Sequence, residues 1–64
     1  MTNNSKRHPG PAIRRARRAV EMPQADLGAS VRRSPAWMCR FERGAIEATA
    51  AEIAAMRAAI RARR

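Results

Sequence analysis

The sequence predicts an all-α domain of four short helices preceded by a flexible basic arm. Apolar residues recur at spacings of three, four and seven in several segments, which is the pattern of helices that bury one face. Capping residues, prolines and a glycine separate these segments. No segment alternates apolar and polar residues as a half-buried strand does. With 64 residues, the chain forms at most one domain with a small core.

Residues 1–11 are expected to form the arm, a disordered segment. They are polar, include a Pro-Gly-Pro run and carry Lys6 and Arg7. They lack the apolar stretch of a signal peptide. The arm is either a basic extension that contacts a partner or a terminus without a role, and the residues alone leave both readings open.

Two helices are predicted before the first tight turn. The first covers residues 12–21, and Pro23 is expected to end it, because a residue before proline avoids helical geometry. Its apolar face consists of Ile13, Ala16 and Val20. The second covers residues 24–31, with Asp26 in its first turn, where the helix dipole favours an anion. Its inward residues are Leu27 and Val31, and two arginines at 32–33 follow as the turn.

The third predicted helix covers residues 35–43. Ser34 is a good N-cap, and the proline after it suits a first helical position, where no N–H is needed. Met38 and Phe41 face the core, and Gly44 ends the helix because glycine readily adopts a positive φ.

The fourth predicted helix covers residues 50–62. Thr49 and Glu52 have the spacing of a capping box, in which each side chain accepts a hydrogen bond from an unpaired backbone N–H. The apolar face of this helix consists of Ile53, Met56 and Ile60. A basic stripe beside it consists of Arg57, Arg61 and Arg64.

The charge of +9 indicates a partner with a phosphate backbone or an anionic lipid surface. The single cysteine, Cys39, cannot form an internal disulfide, which indicates a reducing, cytoplasmic setting. One histidine, His8, and one cysteine cannot build a usual zinc site. The sequence shows no nucleophile–base pair, no phosphate-binding glycine loop and no paired carboxylates, so we expect neither an enzyme nor a cofactor. No stretch is long and apolar enough to span a membrane, so we expect no membrane-spanning segment.

The segment 23–44 resembles the Cro and phage-repressor helix-turn-helix family, also called XRE-like. Its markers are Gln24 opening a short helix, the inward Leu27, Ser34 before the next helix, and the closing Glu-Arg-Gly at 42–44. The flanking helices extend the resemblance over residues 12 to about 61. It implies a lambda-repressor-like four-helix domain whose third helix lies in the major groove of DNA.

The resemblance also implies roles for individual residues. The residues that it places at the DNA are Gln24, Arg33, Ser34, Pro35, Ala36, Trp37, Arg40 and Arg43. Among these, Arg40 is expected to read a base, since an arginine donates two hydrogen bonds to guanine. Trp37 packs either on the DNA or back onto the core or a partner chain. Arg17 and Glu42 are expected to form a structural ion pair rather than a catalytic site.

Several residues depart from the family pattern. Pro23 removes the side-chain cap of the second helix, and Arg32 stands in the turn where glycine or asparagine is common. Arg33 replaces a usually apolar residue, and the loop at 46–48 lacks basic residues. Many relatives have a fifth helix that helps form the dimer, and none is expected after the fourth helix here, so the residues leave the mode of dimerisation open.

Three functions fit these observations. The first is a nucleoid-associated transcriptional repressor of the phage or mobile-element type, which binds an inverted-repeat operator as a homodimer and needs no small-molecule effector. The second is an accessory or architectural DNA-binding protein, such as a recombination directionality factor. The third is an amphipathic peptide that acts at membranes or on an acidic protein, which the basic helices would also fit.

Overall fold

A computed structural model describes residues 8–64, which form four α-helices. These are α1 (Gly10–Ala19), α2 (Gln24–Ala29), α3 (Pro35–Glu42) and α4 (Ala50–Arg63). No strand occurs among the described residues, so the expected all-α class is confirmed. Most of the predicted arm, residues 1–7, lies outside the described part of the chain.

The core is formed by one apolar cluster that all four helices enclose. Its buried members are Ile13, Met22, Leu27, Met38, Phe41, Met56 and Ile60. Helix α3 packs against α1 and α2, and α4 packs against the same two helices from another side. The apolar faces predicted from the spacing therefore meet in the interior, although Ala16, Val20, Val31 and Ile53 are only partly buried.

Helix α1 begins at Gly10, two residues before the predicted start at residue 12. Proline is tolerated in the first turn of a helix, so Pro11 does not prevent this early start. Glycine at position 10 allows a close approach to α3, since a Cβ there would collide with the carbonyl oxygen of Phe41. His8 caps this end: its Nδ1 accepts a hydrogen bond from the Gly10 N–H at 2.9 Å, and its Nε2 lies 2.6 Å from the carbonyl oxygen of Ile46. The end of the predicted arm is therefore ordered against the loop after α3.

Three helices end in the same way, with one residue in the left-handed region. These residues are Glu21 (φ 55°), Arg32 (φ 58°) and Gly44 (φ 82°). In each case its N–H and the next N–H donate to carbonyls of the preceding helical turn, which is a Schellman closure. Of these three endings, only the one at Gly44 was predicted. Helices α1 and α2 each end two residues before the predicted ends at residues 21 and 31, and α3 ends one residue before the predicted end at residue 43.

Helix α4 follows a loop and runs to Arg63, one residue past the predicted end. Its predicted capping box is present. The Thr49 hydroxyl accepts from the Glu52 N–H at 3.0 Å, and the Glu52 carboxylate accepts from the Thr49 N–H at 2.9 Å. This reciprocal pair fixes where α4 begins.

Candidate nucleic-acid interface

A buried polar brace joins three helices beneath the exposed side of α3. Arg17 of α1 donates from Nε to Glu42 Oε2 at 2.7 Å and from Nη2 to Oε1 at 3.0 Å. The Gln24 amide of α2 donates to Glu42 Oε1 at 3.0 Å, and Arg17 Nη1 donates to the carbonyl of Met22 at 2.6 Å. The expected pair of Arg17 and Glu42 is therefore formed, and Gln24, expected at the DNA, has its amide directed at the brace.

The turn between α2 and α3 brings the two helices into close contact. The Arg33 N–H donates to the Gly28 carbonyl at 2.9 Å, and a Cβ at position 28 would lie 2.5 Å from the Arg33 carbonyl oxygen. Glycine is therefore needed at 28, while Arg32 bears the positive φ. The Ser34 hydroxyl then caps α3 by accepting from the Trp37 N–H at 3.1 Å.

The outward side of α3 presents one stripe of side chains, which we call the α3 stripe: Ala36, Arg40 and Arg43. They stand four and three residues apart, which places them on one side of the helix, and all three are exposed. Pro35 is also exposed beside the first of them. The only acidic residue of α3 is Glu42, whose side chain is 1% exposed and engaged in the brace. The α3 stripe is therefore cationic and has no carboxylate of its own helix in it.

Trp37 and Arg33 lie on one flank of the α3 stripe. The Trp37 ring is half-buried and stacks on Phe41, with ring centroids 5.4 Å apart and an interplanar angle of 7°. The Arg33 guanidinium lies 4.6 Å above the Trp37 ring, and its Nε donates to Glu52 Oε2 at 2.8 Å. Of the two readings of Trp37, the structure thus shows the ring packed on the core, and Arg33 links the turn to α4.

The other flank of the α3 stripe is a cleft between α1 and α3 with a volume of about 100 Å³. Its lining residues, which define the α1–α3 cleft, are Arg14, Gln24, Cys39, Glu42 and Arg43. Sequence reasoning did not assign Arg14 to the site. The expected Arg17–Glu42 pair indicates which side of α1 faces α3. Arg14 lies one helical turn before Arg17 on that side, so this spacing could have placed Arg14 at the site. The cleft thus has an exposed arginine on each of two helices.

Most arginines of the described chain are not used in ion pairs. Arg17, Arg33 and Arg63 pair with Glu42, Glu52 and Asp26. Nine others among residues 8–64 have no ion-pair partner, and they are Arg14, Arg15, Arg18, Arg32, Arg40, Arg43, Arg57, Arg61 and Arg64.

The Thr49 backbone N–H and the Arg33 guanidinium lower the pKa of the Glu52 carboxyl.

Within residues 8–64 no three His, Cys, Asp or Glu side chains lie close enough to hold a metal ion together. None of the helices described combines the length and the apolar character that crossing a bilayer requires. Comparison of the chain with family models, with curated proteins and with solved structures gives no match.

Proposed function

We propose that this chain binds double-stranded DNA through a helix-turn-helix formed by α2 and α3, in a lambda-repressor-like domain. In this arrangement α3 enters the major groove, and α2 lies across the DNA backbone. The closely joined pair of helices, with its capped α3 and its left-handed turn residue, supports this geometry. The resemblance of residues 23–44 to the phage-repressor family supports it from the sequence.

The α3 stripe is the observation on which the proposal depends. Arg40 and Arg43 are exposed on it, while the acidic side chain of the same helix is withdrawn into the brace. An unpaired carboxylate on this side would repel phosphates, so its burial suits a DNA-facing helix. The brace also fixes α3 against α1 and α2, which limits the ordering that binding would require.

Some side chains of the site would contact base edges, and others would bind phosphates. Arg40, at the centre of the stripe, would donate two hydrogen bonds to guanine O6 and N7. Pro35 and Ala36 would offer only apolar contact, for example to a thymine methyl group. Arg43 and Arg14, on the two sides of the α1–α3 cleft, would bind backbone phosphates and fix the register.

The chain would act as a repressor by occupying a promoter. Two copies would bind an inverted repeat, with recognition helices about 34–36 Å apart, one helical turn of DNA. Such a dimer reads two half-sites, which compensates for the small number of base-reading side chains on one α3.

Selection of bound duplexes from a random pool at about 150 mM salt tests this proposal, because that salt weakens contacts that do not depend on sequence. We expect a palindromic motif with a fixed half-site spacing. Recovery of DNA without any enriched motif would contradict sequence-specific regulation. Failure to bind any duplex at low salt would contradict DNA binding itself.

The spread of unpaired arginines favours a second candidate, an accessory or architectural DNA-binding protein. Such arginines occur on α1, in the turn, on α3 and on α4, while the first two positions of α3 have no polar side chain. A protein of this kind would bind its best site less than about 100-fold more tightly than random DNA, whereas specific regulators usually exceed about 10³-fold. Competition between the selected site and random duplex distinguishes the two functions.

A further inference from the structure

A second basic feature lies between α1 and α4, and it differs in chemistry from the α3 stripe. It is a groove of about 170 Å³ whose floor is apolar and whose rim is cationic. The residues that line this α1–α4 groove are Ala12, Ile13, Ala16, Arg57, Ile60, Arg61 and Arg64. Cavities of roughly 150 Å³ hold one benzene-sized group. The groove therefore has room for a single apolar side chain.

No side-chain carboxylate among residues 8–64 pairs with the arginines of the rim. Arg57, Arg61 and Arg64 stand four and three residues apart on one side of α4, are all exposed and form no ion pair within residues 8–64. Like charges at these spacings destabilise a helix. The paired arginine of this helix, Arg63, points to Asp26 on the other side. An anion bound from outside would relieve the repulsion along the rim.

The groove is separated from the proposed DNA contacts by the body of α1. Consecutive helical residues are about 100° apart, so Ala12 and Ala16 lie on one side of α1 and Arg14 lies on the opposite side. Arg14 lines the α1–α3 cleft, whereas both alanines line the groove. A duplex against α3 and the cleft would therefore leave the groove accessible.

The occupant must supply an apolar group and negative charge together. A phosphate backbone has no apolar side chain for the floor formed by Ile13 and Ile60. A second copy of this chain carries 14 basic residues against five acidic ones, so it supplies few carboxylates for the rim. A peptide in which leucine or phenylalanine alternates with carboxylates matches both the floor and the rim.

We infer that the α1–α4 groove binds an acidic amphipathic segment of a partner protein. One apolar side chain of that segment fills the space over Ala12 and Ala16, and its carboxylates pair with Arg57 and Arg61. Because this surface lies apart from α3, the partner and DNA bind the chain at the same time. The inference does not depend on which DNA function is correct.

The test uses the full chain and two synthetic peptides, one built from leucine and glutamate and one in which serine replaces every leucine. Amide chemical shifts of the isotope-labelled chain locate binding, and their titration gives affinities. We expect the leucine peptide to shift Ala12, Ala16 and Ile60 and, because it buries an apolar side chain, to bind at least about tenfold more tightly than the serine peptide. Shifts concentrated on the α3 stripe, equal affinities or no binding would each overturn the inference.

Ala12→Glu is the discriminating variant. Position 12 is exposed in the first turn of α1, where an acidic side chain is compatible with the helix, and it places a carboxylate in the groove. Ala51→Glu is the matched control, since it adds the same charge to the exposed first turn of α4 outside the groove. We expect only Ala12→Glu to weaken the leucine peptide, by about tenfold or more.

Two other outcomes would reassign the groove and so overturn the inference. If Ala12→Glu weakens DNA binding more than Ala51→Glu does, the groove contacts DNA. If it converts a dimer to a monomer in sedimentation, the groove contacts a second copy. Should Ala12→Glu unfold the chain, the exposed double variant Arg57→Gln/Arg61→Gln provides the same comparison, with Arg15→Gln/Arg18→Gln as its control.

Discussion

Gln24 Nε2 lies 3.0 Å from Glu42 Oε1, so the first residue of α2 donates a hydrogen bond to the carboxylate of the last residue of α3. Arg17 donates to both oxygens of the same carboxylate. A single buried anion thus connects α1, α2 and α3. The orientation of α3 depends on this carboxylate as well as on apolar packing.

We predict that Glu42→Leu destabilises the protein strongly. The substitution leaves the Arg17 guanidinium, on a side chain that is only 10% exposed, without its partner, and such a loss costs about 3–5 kcal/mol. Urea unfolding followed by circular dichroism measures the change. Since the single variant would then populate the unfolded state, Arg17→Met/Glu42→Leu serves as the control. We expect the double variant to recover most of the lost free energy of unfolding, and a double variant less stable than the single one would refute this account.

The turn residue Arg32 leads to a prediction of the opposite sign. Its φ of 58° costs a residue with a Cβ about 1–2 kcal/mol, a cost that glycine does not bear. Arg32→Gly is therefore expected to raise the free energy of unfolding by up to about 1 kcal/mol after the entropy of the unfolded glycine is included. Arg32→Ala removes the same charge without relieving φ, and it should not stabilise. Equal effects of the two variants in urea unfolding would show that charge, not backbone geometry, matters here.

Arg40 and Arg43 are predicted to differ in what their loss changes. Arg40→Ala should relax the preference at one base position by about 1–3 kcal/mol, because that side chain would read a base edge. Arg43→Ala should weaken all sequences alike and reduce the slope of log affinity against log salt by about one. Binding to a panel of single-base variants of the selected site, at several salt concentrations, measures both quantities. A uniform loss in both variants would make Arg40 a phosphate contact.

Arg14 is predicted to contact phosphate from the α1–α3 cleft. Arg14→Ala should reduce the salt slope by about one without altering the preferred sequence. Arg15→Ala is the matched control, because Arg15 is the next residue of α1, is also exposed and does not line the cleft. If both variants change the salt slope equally, the positive charge of α1 acts through its general field rather than through the cleft.

Glu52 is predicted to make stability depend on pH in the acidic range. Because its folded pKa is lowered from the ordinary value of 4.5, its stabilisation is present above that value and is lost as the pH falls through the lowered pKa. Glu52→Gln retains an oxygen for the Thr49 N–H but lacks the charge that Arg33 meets. Its Tm should therefore be below that of the parent chain near neutral pH, and the gap should close as the pH falls well below 4.5. A gap that stays constant with pH would contradict this assignment.

The sequence predicted those features that depend on local chemistry. The four helices, the Thr49 capping box and the Gly44 ending follow from residue types at fixed spacings. The left-handed ending at Glu21 was not predicted, because glutamate, unlike glycine, is not typical of a positive φ. The next residue, Met22, is buried in the core, and a hydrophobic contact of this kind often accompanies such a helix ending. The close approach of α1 to α3 at Gly10 likewise involves Phe41, which is distant in sequence, so local patterns do not indicate it.

In the candidate site too, features set by local spacing were predicted and features set by contacts between distant residues were not. The position of Arg40 on the exposed side follows from helical spacing, and the Arg17–Glu42 pair was expected from the family resemblance. The partners of Arg33, a tryptophan ring and the Glu52 carboxylate, come from two different helices, so local patterns do not indicate them. The α1–α3 cleft escaped prediction for the same reason, because it exists only where α1 and α3 meet.

Three of the seven buried core residues are methionines: Met22, Met38 and Met56, none more than 6% exposed. A thioether oxidised to the sulfoxide becomes polar and no longer suits an apolar interior. In the folded protein these sulfur atoms are shielded from solvent, so an oxidant reaches them only when the domain opens. Each opening under oxidising conditions is therefore an opportunity for the chain to be trapped unfolded. The rate of methionine oxidation at this core would report how often the domain opens, and the lifetime of the active protein would depend on the redox state of its surroundings.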